Sequence, residues 1–289
     1  MLRLKEGRTR VFPAKKCYLG SLAALVILIL AQVVSQLLEA GLEWLHMPAF
    51  IAVALSGLSY IGLTYSLLKV LVHVYLKRDL AAFGLGPCLV QGKWLLVGLL
   101  LPLLVSLVYF LLPGHFYWGH KSLPEVLTVL SRGIFFTGFG AGFVEEMVFR
   151  GLIMTLIRDR WGTVISIFLP SFLFALLHLI GENFTLISLA LVLLSGTVVG
   201  SMFSLIAYEG GHVWNNALVH SLWNSVIISG IIGISPHIDP YNISHYVLEP
   251  SSILLTGGQF GIEASLIALL AYSSVALYAW SALRRKAKR

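Results

Sequence analysis

Glu145, Glu146 and Arg150 fall within six residues of an otherwise apolar stretch, in the segment EEMVFRG at 145–151. An ionisable group at the middle of a hydrocarbon layer costs roughly 2.5–3.5 kcal/mol on insertion scales, so such groups are paired, hydrated or put to chemical use. Two further polar sets stand in apolar surroundings downstream. FALLH sets Phe174 and His178 four residues apart, and HSLWN sets His220 and Asn224 four apart, so each pair shares a helix face. Carboxylate and imidazole are the groups that general acid–base chemistry uses most. A pocket holding Glu145, His178 and His220 together is therefore a candidate for proton transfer to and from water.

Each piece also has a plainer reading. Glu146 and Arg150 are four apart, the spacing of a helical ion pair that would lock its own helix. Glu145 points about 100° away around the same helix and is freer for chemistry. A lone His178 or His220 would serve as a helix–helix hydrogen-bonding residue. Phe174 reads as packing that holds an imidazole in orientation. His212, Asn215 and Asn216 read as interfacial polar residues at a helix start. Lys69 and His73, and separately Arg132, read as side chains snorkelling toward a membrane surface.

The scaffold for these residues is a membrane domain. The chain has 289 residues, of which 58% are hydrophobic and 11% charged, less than half the charge that a soluble domain carries. Apolar runs at about 18–38, 48–75, 92–113, 125–156, 162–180, 184–206, 212–234 and 258–281 predict an all-α polytopic bundle of about eight spans. A transmembrane barrel is disfavoured, since its strands would alternate polar and apolar residues. The first run is longer than the core of a signal peptide and is expected to be retained as a span. Without internal repeats or low-complexity segments, residues 1–289 form one domain, with the chemistry-bearing core at about 125–234.

The net charge of +7 sits at the ends, in Arg3, Lys5, Arg8, Arg10, Lys15 and Lys16 and in the terminal RRKAKR. That pattern speaks for topology beside anionic lipid and against nucleic acid. With eight spans, both termini fall on one side, together with Lys77, Arg78, Lys93, Arg158 and Arg160, and the positive-inside rule places them in the cytoplasm. The 207–211 link on that side carries only Glu209. Asn183-Phe-Thr and Asn242-Ile-Ser match the glycosylation tripeptide, a pattern that arises often by chance. Cys17 and Cys88 have no metal-ligand spacing.

Depth ties the polar sets together. Glu145 stands about 16 Å above Leu156, His178 about 24 Å above Gly162 and His220 about 12 Å above His212. All three are expected to meet between the cytoplasmic boundary and the middle of the bilayer.

EExxxR, FxxxH and HxxxN, in that order on separate hydrophobic helices, resemble the CAAX-processing and bacteriocin-processing (CPBP) family of intramembrane proteases. The likeness covers about 140–230. It implies that Glu145 and His178 hold and activate the attacking water, with Glu145 as general base. His220 and Asn224 would then donate to the oxyanion of the tetrahedral intermediate, with Glu146 and Arg150 supporting. The implied activity is hydrolysis of a peptide bond in a membrane-associated substrate, either a prenylated CAAX protein or a leader or precursor peptide. Membrane lipid and that substrate are the expected partners. No cofactor is favoured. The alternative is a zinc-dependent form of the same hydrolysis, in which Glu145, His178 and His220 ligate the metal; HExxH is absent from the chain. The expected location is the cell membrane in a bacterium or archaeon and the endoplasmic reticulum in a eukaryote. Two readings of another class compete: an ion- or proton-coupled transporter, against which the missing inverted repeat counts, and a catalytically silent membrane regulator.

Overall fold

The computed structural model describes residues 12–180, 184–249 and 252–288. Arg3, Lys5, Arg8, Arg10 and Asn183 lie outside them. Each of the eight apolar runs carries a helix: α1 (Ala14–Trp44), α2 (Ala49–Leu76), α3 (Gly92–Phe110), α4 (Leu123–Trp161), α5 (Thr163–Leu177), α6 (Leu186–Gly210), α7 (Trp214–Ile227) and α8 (Leu266–Lys288). Six of them are long and apolar enough to cross a membrane; α5 and α7, with 15 and 14 residues, are shorter. At 1.5 Å per residue these two cover about 22 Å, less than a hydrocarbon core. Large aliphatic side chains cover the outside of the bundle, among them Leu22, Ile29, Val33 and Leu37 on α1 and Leu96, Leu103 and Leu107 on α3. So continuous an apolar exterior belongs in lipid. The chain is an integral, multi-pass, all-α membrane protein.

The differences from the expected spans have local causes. Hydropathy carries the seventh run to 234, but α7 stops at Ile227 because Gly230 takes a left-handed φ of 80° and the chain turns into a strand. That strand, β2 (Ile232–Ser235), pairs in parallel with β3 (Ser244–Leu248), which pairs antiparallel with β1 (Gly114–Trp118). This three-stranded sheet, in the order β1-β3-β2, is an addition to the expected helices; Phe110, Phe116 and Tyr246 pack it onto the end of α3 with ring centroids 4.9–5.3 Å apart. The last run is expected to be helical from 258, yet 258–264 form two short 3₁₀ turns before α8 begins. Arg132 pairs with Glu39 of α1. Glu209 is buried and holds Lys93, Lys286 and the indole of Trp94, so the start of α3 and the ends of α6 and α8 are tied at one end of the bundle.

Small residues set the helix spacing where it matters for the site. A Cβ on Gly133 would meet Ser229, one on Gly138 would meet Ser225, and one on Gly142 would sit 2.5 Å from Ser221 Oγ. This ladder runs α4 and α7 antiparallel with their backbones nearly touching, the close approach that small residues permit in membranes. Gly196 faces Ala175 and Gly200 faces Ser171 in the same way, bringing α6 against α5. α4 is not uniform: 132–141 and 147–153 wind as π-helix, with one α-helical stretch, Gly142–Glu146, between them. π-helical turns are rare and gather at functional sites.

Candidate active site

The two adjacent glutamates of α4 occupy different surroundings. Glu146 is fully buried, and its carboxylate is saturated. Oε1 accepts from Arg150 Nη1 at 2.9 Å and from His220 Nδ1 at 2.9 Å, while Oε2 accepts from Asn216 Nδ2 at 2.5 Å. Arg150 is itself buried; its guanidinium carbon lies 4.8 Å from the Phe174 ring centroid and 5.4 Å from that of Phe203. Rings on both sides give a desolvated cation partial compensation through their π faces. Glu145 opens instead on a cavity of about 230 Å³.

His178, His220 and Asn224 line the same cavity. α5 ends at His178, whose Nδ1 lies 2.8 Å from the Phe174 carbonyl. A carbonyl only accepts, so Nδ1 carries the hydrogen and Nε2 is left with a lone pair. Phe174 holds the ring from the side, centroid to centroid 4.5 Å, and reaches His220 at 6.1 Å. His220 is stacked on Phe203 at 4.6 Å, and with Nδ1 committed to Glu146 its Nε2 stands 3.7 Å from Glu145 Oε2. That separation exceeds a direct hydrogen bond. Asn224 Nδ2 donates to the carbonyl of Thr137, in the first π-helical stretch of α4, at 3.0 Å. An amide nitrogen carries two hydrogens, so one remains for another acceptor.

Asn216 does not sit at an interface as expected. It is fully buried and is the third donor to Glu146. Its spacing carries the signal: Asn216, His220 and Asn224 recur every four residues and share one face of α7. Asn215 is also buried and accepts from the backbone of Gln91, whereas His212 faces a separate pocket with Arg158 and Tyr208. Among the cavity residues beyond the polar sets read from the sequence are Phe260 and Glu263, on the 3₁₀ turns before α8.

The donor set fits a metal poorly. Among the described residues, no three His, Cys, Asp or Glu side chains converge closely enough to hold an ion.

Residues 127–226, from α4 through α7, match the model of a family described as type II CAAX prenyl endopeptidase Rce1-like. No curated protein and no solved structure matches the chain.

Proposed function

We propose that this chain, whose residues 127–226 match the model of the type II CAAX prenyl endopeptidase Rce1-like family, cleaves a peptide bond with water activated by Glu145 and His178. The observation that carries the reading is the division between neighbouring carboxylates: Glu146 spends both oxygens on Arg150, Asn216 and His220, and Glu145 faces the cavity. A base must be able to reach the proton it takes, and of the two carboxylates Glu145 alone opens on the space a substrate could fill.

In the proposed sequence, a water between Glu145 and His178 Nε2 attacks the scissile carbonyl and gives a proton to Glu145. The oxyanion receives the second Nδ2 hydrogen of Asn224 and a hydrogen from His220 Nε2. The latter needs the imidazole protonated on both nitrogens, with Glu146 and Glu145 facing the two. Pre-aligned donors of this kind are worth about 3–4 kcal/mol each in the transition state. The reaction is proposed to run without a metal, and the poor convergence of three ligands supports that. With both termini expected in the cytoplasm, the cleavage is proposed to lie at or near that face.

The test uses purified protein and quenched membrane peptides, including CAAX peptides with and without an isoprenoid chain, read by mass spectrometry. The parent is expected to cut at one bond and to keep doing so after chelation. Glu145→Ala is expected to fold and to lose cleavage. Full activity in Glu145→Ala, or a parent that cuts none of the peptides and instead moves ions across vesicles, overturns the reading. Loss of activity on chelation with recovery on added zinc overturns the metal-free form alone.

A further inference from the structure

The cavity holds a second carboxyl that the water-activating set does not use. Glu263 comes from the 3₁₀ turn Ile262–Ala264, outside the segment that matches the family, and lines the cavity together with Glu145. It is a built feature. Ile262 and Ala264 on either side are buried, and Tyr272 Oη donates to the Glu263 backbone carbonyl at 3.3 Å. The turn needs glycine: Gly257 has a φ of 73°, and a Cβ there would run into the Gly261 carbonyl oxygen. Glu263 interacts electrostatically with both His220 and Glu145.

The geometry points to Glu263 as the acid that protonates the leaving amine. Peptide hydrolysis needs two proton transfers: one from water to a base as the C–O bond forms, and one to the amine nitrogen as the C–N bond breaks. Glu145 and His178 stand on α4 and α5, and Glu263 enters the same space on the turn before α8. Two carboxyls opening on one low-dielectric cavity share a proton rather than both ionising, and such a pair separates base from acid. Glu145 begins ionised and accepts the proton of water. Glu263 begins protonated and gives its proton to nitrogen as the tetrahedral intermediate collapses. Water in the cavity then returns the proton from Glu145 to Glu263, and the net reaction is peptide plus water to carboxylic acid and amine. The titratable groups facing Glu263 are Glu145 from α4, His178 from α5, His220 from α7 and Tyr272 from α8.

This assignment rests on the peptidase reading, and its test separates the two. Two substrates of one sequence are compared, one with the scissile amide and one with an aryl ester at the same bond. An aryloxide leaves without a proton, so the ester needs the base and the oxyanion donors but not the acid. Glu263→Gln is expected to lower kcat on the amide about 100-fold or more, the usual worth of general acid catalysis. Its ester cleavage and both KM values should stay near those of the parent, and the amide pH–rate profile should change shape while that of the ester does not. Glu263→Asp, which keeps an acid with shorter reach, should retain part of the amide activity. Equal losses on amide and ester make Glu263 structural and overturn the assignment, as does undiminished amide cleavage in Glu263→Gln. A parent that cleaves neither substrate overturns the peptidase reading itself.

Discussion

Replacing Glu146 with glutamine removes one charge from the centre of the bundle and little else. The substituted side chain keeps an oxygen for Arg150 and His220 where Glu146 Oε1 now serves both. Its new amide group stands where Oε2 accepts from Asn216, and two donors would then face each other. Asn216 can resolve that by turning its amide, because its Oδ1 has no partner in the structure. The hydrogen bonds are thus conserved, and the loss is the anion beside Arg150. Breaking a buried ion pair by removing one partner costs about 3–5 kcal/mol, and we expect the lower end because Glu145 also lies within electrostatic reach of the guanidinium. Thermal and denaturant unfolding in micelles, followed by tryptophan fluorescence, should show Glu146→Gln destabilised by about 3 kcal/mol. Adding Arg150→Met removes the stranded cation and places a flexible apolar chain among Phe149, Phe174 and Phe203. The double variant should recover most of the loss, so the effects of the two changes should be far from additive. A single variant as stable as the parent, or additive effects of the two changes, would show that the pair is not what holds this part of α4, and the argument would fail.

Three further outcomes follow from the geometry. Asn224→Ala should lower kcat about 10²–10³-fold with KM unchanged if its free hydrogen meets the oxyanion; a change in KM alone would assign it to substrate binding. Gly142→Val would drive a side chain into Ser221, one residue from His220, so cleavage should collapse while membrane insertion survives; activity near that of the parent would refute the tight α4–α7 contact. Cys88 is exposed and Cys17 buried. With the termini cytoplasmic, a membrane-impermeant maleimide should therefore label Cys88 in inside-out vesicles and spare it in right-side-out ones. The opposite pattern would invert the topology.

Much of the site is legible in the sequence because its logic is local. The Glu146–Arg150 pair is an i, i+4 contact within one helix, and the free direction of Glu145 follows from 100° per residue. Phe174 beside His178 is likewise a one-turn relation. Asn216 obeys the same spacing, but it lies near the start of its helix, where polar residues usually meet the interface, and that position masks its role. The ends of the short helices are harder. Ile231–Ile234 is apolar whether it forms helix or strand, so hydropathy runs straight through Gly230 into β2. The same blindness hides the turns at 258–264, although Gly257, Gly258 and Gly261 close together mark a break. The sheet depends on pairing Gly114–Trp118 with a strand at Ser244–Leu248, far along the chain, and no local period reports that. Glu263 has no partner at a helical spacing, so nothing in its neighbourhood sets it apart.

The neighbouring glutamates also bear on how the site titrates. Glu145, Glu146 and Arg150 sum to one negative charge, and the other acid–base groups lining the cavity, among the described residues, are His178, His220, Glu263 and Tyr272. His220 faces both carboxylates, one through each nitrogen. A proton bound anywhere in this set is felt by every member, so apparent ionisations at the site belong to the cluster and not to single residues. It follows that Glu146→Gln, although it faces away from the cavity, should shift the pH–rate profile as well as the stability, by removing one of the two charges that His220 bridges. A profile unchanged in that variant would mean that Glu146 acts on Arg150 alone, and that its bond to His220 positions the ring without tuning its proton.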